Sequence, residues 1–285
     1  MIAVLGGLGA AVIWAFATVS AARASRLIGA WSTLAGVSLI GLVLCIPLVA
    51  TTRAPGPEDV DDLVLVAFCG ITYVAGLLAN YAALGRGKVG IAAPIASTEG
   101  AIAAVIAIIA GESAGLLLLA SLGLIVTGLV LATLEPDLRV EDATSGGRAF
   151  IALAVTAAIL FGVSLYAAGS LSRTTPAAWI VIGGRVVGII AIVLPLLALR
   201  RLRITRAALP FLVISGAGEV VGYLCIVWGS VESIPVTAVL SSLFAVLATA
   251  GAFVMGERLS RRQLLGMATA AVGVAAVTAV RVIRL

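Results

Sequence analysis

Apolar residues run along the chain in blocks of about twenty, the length an α-helix needs to cross the hydrocarbon layer of a bilayer. Polar breaks delimit ten blocks, at residues 2 to 21, 29 to 50, 62 to 84, 89 to 110, 113 to 134, 148 to 171, 177 to 198, 208 to 229, 234 to 256 and 263 to 281. In lipid every backbone polar group must be satisfied within the protein, so only helices and closed barrels cross. The blocks lack the period-2 alternation of barrel strands. The pattern predicts an all-α membrane protein of ten transmembrane helices.

The longest polar interruption runs from Glu135 to Arg148 and holds Pro136, Ser145, Gly146 and Gly147. It divides the spans five and five, which predicts a first five-helix repeat over 1–134, a linker over 135–147 and a second repeat over 148–285. Sliding one half over the other supports a duplication. A shift of 147 puts Trp14 on Phe161 and Arg26 on Arg173; a shift of 148 puts Trp31 on Trp179 and Gly36 on Gly184. A shift of 146 puts Gly76 on Gly222, and a shift of 145 puts Ser97 on Ser242, Ala103 on Ala248, Ala107 on Ala252, Gly111-Glu112 on Gly256-Glu257 and Gly128 on Gly273. Because each half crosses an odd number of times, the second copy enters from the opposite side. The expected architecture is two inverted repeats around a central cavity near the midplane, a geometry suited to alternating access.

Composition narrows the chemistry. The chain of 285 residues is 62% hydrophobic and 11% charged, with a mean hydropathy of +1.24; a soluble domain carries about a quarter of its residues as charges. With no histidine, the usual imidazole ligand, general base and pH switch are missing, and no metal site or cofactor is expected. Cys45, Cys69 and Cys225 lie inside apolar blocks at spacings that suggest neither metal binding nor disulfides. An intramembrane enzyme would need a nucleophile, base or metal cluster at facing positions, and no such set is evident, so the chain is read as a non-enzyme. The first block follows Met1 without the charged leader and cleavage site of a secretory signal, and is expected to be retained as a helix.

Gly256-Glu257-Arg258-Leu259-Ser260, followed by Gln263-Leu264-Leu265-Gly266 and Gly273, resembles the end of the EamA-type family of the drug/metabolite transporter superfamily, and Gly111-Glu112 echoes it at the end of span four. The resemblance extends over the ten spans as a five-plus-five pattern. It implies a ten-helix carrier that exports amino acids, other metabolites or drugs, commonly in exchange for protons. It also implies that spans one, three and four with their mates six, eight and nine line the cavity, while five and ten pack at the rim. Many relatives have a proline part-way along spans four and nine; this chain has Glu99 and Phe244 there.

Three ionisable residues fall near the middle of spans, namely Glu99, Arg185 and Glu219. A charge at the bilayer centre costs about 2.5 to 3.5 kcal/mol on insertion scales, and such groups pair or face a water-filled path. Desolvation disfavours the charged form of a carboxylate, which makes Glu99 and Glu219 candidates to hold a coupling proton or a cationic substrate in alternation. Arg185 is their possible charge partner; a purely structural pair is the other reading. Pro94 removes a backbone donor and should kink or loosen span four beside Glu99. Trp14, Thr18, Tyr73, Asn80, Phe161, Tyr166 and Tyr223 are cavity-lining candidates, since pockets join apolar walls to a few placed polar groups; packing and interfacial anchoring are their alternative roles. Ser97, Ser241 and Ser242 either meet a substrate or hydrogen-bond across helices. Small residues four apart, such as Gly6 with Ala10 and Gly266 with Ala270, read as assembly contacts.

The connections after odd-numbered spans carry 13 of the 18 Lys and Arg residues, so the positive-inside rule places them in the cytoplasm and both termini outside, whereas the family resemblance implies both termini inside. The cluster Arg200, Arg201, Arg203 and Arg206 has anionic headgroups, not nucleic acid, as its expected partner. The reading is a multi-pass protein of the inner membrane, a monomer or alternatively an oligomer, whose partners are lipid, a small-molecule substrate and protons. Within it stand a proton-coupled exporter of amino acids or amines and, alternatively, a multidrug or lipid-intermediate carrier; a non-transporting membrane subunit is the rival class.

Overall fold

The computed structural model describes residues 1–52, 55–57, 59–86, 89–112, 115–133, 145–248 and 261–283. Among them every regular element is a helix and no strand occurs. The elements are α1 (Ile2–Ile28), α2 (Ala30–Thr52), α3 (Val60–Arg86), α4 (Val89–Ala96), α5 (Glu99–Ile109), α6 (Leu116–Thr133), α7 (Ser145–Leu171), α8 (Ala177–Gly188), α9 (Leu194–Ala198), α10 (Leu209–Ser230), α11 (Ile234–Ser241) and α12 (Arg261–Ile283). A π-turn, Ile189–Val193, joins α8 to α9 without a break. It precedes Pro195, whose missing amide and bulky ring would otherwise disturb the ladder.

Six of these segments are long and apolar enough to cross a membrane, and large apolar side chains such as Phe16, Val43, Ile109 and Leu116 are exposed on the outside of the bundle. In water such a surface would aggregate; in lipid it is the solvated face. The chain is a multi-pass membrane protein. The helices group into the ten predicted spans, but span four is two helices, α4 and α5, and the apolar stretch Ile234–Ala248 breaks after α11. The Gly256-Glu257 motif and most of the linker lie outside the described residues.

Both breaks have local causes. Helix α4 runs through Pro94 and ends at Ala96, so the interruption falls at Ser97–Thr98, just beyond the proline. There the Gly100 amide leaves the helical ladder and donates to Ser242 Oγ at 3.1 Å. A Cβ on Gly100 would collide with the Ala238 carbonyl oxygen and with Ser242 Oγ, so only glycine lets α5 and α11 approach this closely. We expect Gly100→Ala to destabilise the protein by about 1 to 3 kcal/mol, the usual range for overpacking, seen as a lower thermal midpoint in detergent.

Span four closes with a Schellman cap. Gly111 has φ 99°, its amide donates to Ile108 O at 3.0 Å, and the Glu112 amide donates to Ala107 O at 2.9 Å. The turn delivers Glu112 Oε1 to Arg173 Nη2 at 2.8 Å and to the Ile234 amide at 3.4 Å. The Gly-Glu pair thus ties the end of α5 to the start of α11 and to the loop after α7. Gly111→Ala would hold an L-residue in the left-handed region and should cost about 1 to 2 kcal/mol, measurable by the same thermal assay.

The most extensive helix pairings are α1 with α10, α6 with α12 and α3 with α7, followed by α5 with α11, α3 with α8, α5 with α7, α2 with α10, α1 with α11 and α2 with α8. Small residues make these contacts close. A side chain at Gly222 would run into the Trp14 indole, one at Gly76 into the Phe161 ring, and one at Gly128 into the backbone of Ala270. Gly6 meets the backbone of Cys225 and Gly229 in the same way. The tightly packed helices leave a chamber between the two halves of the chain, and its lining is described next.

Candidate functional site

The chamber, which is partly open to the outside, holds about 390 Å³ of space between atoms, the opening included, and is lined by side chains of both halves. Helix α1 contributes Trp14 and Thr18, α3 Tyr73 and Asn80, and α5 Glu99. From the second half come Phe161, Ser164 and Leu165 of α7, Glu219 and Tyr223 of α10, and Phe244 just beyond the break after α11. The break in span four matters here, because it makes Glu99 the first residue of α5, where the helix dipole favours an anion. Glu99 and Glu219 are both buried, at 4% and 8% exposure.

Of the residues picked out by sequence, Trp14, Thr18, Tyr73, Asn80, Glu99, Phe161, Glu219 and Tyr223 meet at this chamber. Ser97, Ser241 and Ser242 do not line it. The Ser241 and Ser242 hydroxyls donate to the Ala238 carbonyl in their own helix, and Ser242 also accepts the Gly100 amide. Ser97 is fully buried, and Tyr166 is half-buried away from the lining. The side chain of Pro94 lies outside what the structure describes. Ser164, Leu165 and Phe244 line the chamber without having been anticipated. The repeat offsets were the available signal, since 147 carries Thr18 onto Leu165 and 145 carries Glu99 onto Phe244.

Two hydrogen-bonded clusters organise the wall. In the first, Tyr73 donates to Glu219 Oε2 at 2.5 Å while its oxygen accepts from Arg185 Nη2 at 3.1 Å. The Arg185 guanidinium also lies over the Tyr73 ring, 5.1 Å from the centroid. Arg185 is 2% exposed and stands behind Tyr73, outside the chamber. In the second, the Tyr223 hydroxyl lies 2.9 Å from Ser164 Oγ and 3.0 Å from Cys69 Sγ, and Ser164 Oγ donates to the Cys69 carbonyl at 3.1 Å. Cys69 therefore packs and hydrogen-bonds, and no cysteine is in a disulfide.

Other groups have no protein partner. Trp14 Nε1 and Asn80 Oδ1 are buried without a hydrogen bond, although both residues border the chamber. Buried polar atoms are nearly always satisfied; the indole nitrogen of Trp14 lies against Gly222 of α10, and Asn80 is a chamber-lining side chain with an open acceptor. Among the described residues no hydrogen-bond donor or cation pairs with the Glu99 carboxyl. Aromatic faces complete the wall, with Tyr73 4.8 Å from Tyr223 and 6.1 Å from Phe161 between ring centroids, and Trp14 edge-on to Phe244 at 6.4 Å. Among the described residues no group of His, Cys, Asp and Glu has metal-binding geometry.

Residues 1–134 match the EamA-like transporter family, part of the drug/metabolite transporter superfamily. The first half of the chain is similar to that family. No curated protein sequence matches the chain. A crystal structure of another protein superposes with a TM-score of 0.73 at 16% sequence identity, covering 98% of this chain and 96% of that one; at that identity the likeness is one of fold. The chamber is built both by the segment that carries the family match and by the remainder of the chain.

Proposed function

We propose that this protein is a secondary active transporter that exchanges small metabolites such as amino acids or amines for protons by alternating access. The observation that carries this reading is the placing of two buried acidic side chains, Glu99 and Glu219, in a chamber walled by both halves of the chain. Carboxyl groups withdrawn from water in a membrane protein mark proton or cation paths, and open hydrogen-bonding atoms beside them suit a polar ligand.

An inverted duplication, 1–134 and 148–285 joined by 135–147, supports the alternating-access part. Exchanging the halves turns the α1–α10 pairing into α7–α3 and maps the α2–α8, α5–α11 and α6–α12 pairings onto themselves. Eight of the lining residues also fall into four offset-related couples, Trp14 with Phe161, Thr18 with Leu165, Tyr73 with Glu219 and Glu99 with Phe244. The chamber is thus symmetric in position and asymmetric in chemistry. Charge places the odd connections in the cytoplasm, and export across the inner membrane follows from the family resemblance.

The test is reconstitution of the purified chain into proteoliposomes with a panel of labelled amino acids, amines and dyes under an imposed pH gradient. Accumulation that tracks the gradient and collapses with a protonophore is expected for at least one class. Gradient-independent behaviour across the panel would refute the reading.

A further inference from the structure

The two carboxyl groups of the chamber are not equivalent. A guanidinium keeps its charge at every accessible pH, so the buried Arg185 requires an anion within reach. Glu219 supplies it through the phenol of Tyr73, at 3.1 Å and 2.5 Å along the relay. Those two charges cancel. Glu99 has no comparable relation, and among the described residues no Lys or Arg lines the chamber. The charge count therefore leaves one carboxyl to be neutralised by whatever occupies the space.

The titratable groups that share the chamber with Glu99 are Glu219 and Tyr223 from α10 and Tyr73 from α3, with Arg185 of α8 behind Tyr73. Those parts of α1 and α7 that border the chamber, and Phe244 beyond α11, bring uncharged side chains. Arg185 lies outside the chamber lining and donates through Nη2 to Tyr73, while its Nε has no partner. A ligand carboxylate would thus enter a space that holds acids, aromatic rings and hydroxyls, with no cation among the described lining residues to receive it. An ammonium group meets the opposite situation. Glu99 offers its charge, the open Asn80 Oδ1 accepts an N–H, and the faces of Trp14, Phe161 and Phe244 attract a cation.

Resting on the transport reading above, we infer that the chamber takes an organic ammonium ion with one positive charge and no carboxylate, held by Glu99, and that one proton leaves Glu99 for each such ion bound. The step balances: the neutral Glu99 acid gives its proton to water, and the resulting carboxylate pairs with the ammonium nitrogen. Exchange is then one for one and carries no net charge. Where Glu99 is protonated, ligand affinity falls about tenfold for each unit that pH is lowered, by linkage. An amino acid with the same side chain is rejected by its own carboxylate, whose unpaired burial at roughly 2.5 kcal/mol or more corresponds to about a 60-fold loss of affinity.

Proton release by the full-length chain in weakly buffered detergent tests this, with phenethylamine and L-phenylalanine as probes, since they differ by the carboxylate. Phenethylamine should release one proton per molecule bound, and L-phenylalanine should bind at least about 60-fold more weakly. Glu99→Gln should abolish release. The double variant Arg185→Met with Glu219→Gln removes both cancelling charges together and should still release one proton per ligand, at lower affinity. Comparable binding of L-phenylalanine, binding without release, or release kept in Glu99→Gln and lost in the double variant would each overturn the inference. If neither probe binds while the liposome panel shows gradient-driven transport, this inference fails and the transport reading stands; if the panel is also silent, both fail.

Discussion

Replacing Glu99 by glutamine is expected to cut pH-driven flux about 100-fold, the equivalent of losing one charge interaction of roughly 2.5 to 3 kcal/mol near the membrane centre. The amide is nearly isosteric and neutral, so it neither releases a proton nor balances a cation. Folding should be preserved, because among the described residues nothing in the protein is paired with the Glu99 carboxyl and its removal orphans no partner. Flux measured in proteoliposomes beside the thermal midpoint separates the two effects. Glu99→Asp should retain coupling with reduced rate, since it keeps the charge and withdraws it by one methylene. Wild-type flux in the glutamine variant would sink the assignment of Glu99 as the exchanging group.

The largest effect on stability should come from Arg185→Met. That change leaves the Glu219 carboxyl and the Tyr73 hydroxyl without the cation that balances them. Breaking a buried charge pair from one side costs about 3 to 5 kcal/mol, enough to prevent accumulation of many membrane proteins. Adding Glu219→Gln should recover most of the loss, to within about 1.5 kcal/mol of wild type, because replacing both members of a buried pair is often neutral. A double-mutant cycle on thermal or denaturant unfolding in detergent yields the coupling directly. Additive losses would show that Tyr73 does not transmit the interaction.

How much of this was legible in the sequence follows from the physics of each element. Apolar blocks of spanning length predicted the helices well, because lipid allows little else. Glu99 and Glu219 stood out for the same reason, since an acid at that depth has no cheap alternative role. The relay was not legible: sequence offered Arg185 a direct carboxylate partner, whereas the structure inserts Tyr73, and which rotamer bridges two helices is decided by packing. Pro94 announced a disturbance in span four, but the break sits at Ser97–Thr98 because the Gly100 amide finds Ser242 across the helix interface. The π-turn before Pro195 left no advance sign. Leu165 and Phe244 are ordinary apolar residues in apolar blocks, and only their offset-related partners Thr18 and Glu99 distinguish them.

The Tyr73–Glu219 hydrogen bond joins two positions that the offset of 146 superposes. Under the proposed duplication, such a bond straddles the dyad, and atoms on a dyad are displaced least when the two copies swap conformations. It is therefore suited to persist with the chamber open to either side, a fulcrum at the heart of the molecule, while the parts that must separate and rejoin lie toward its ends.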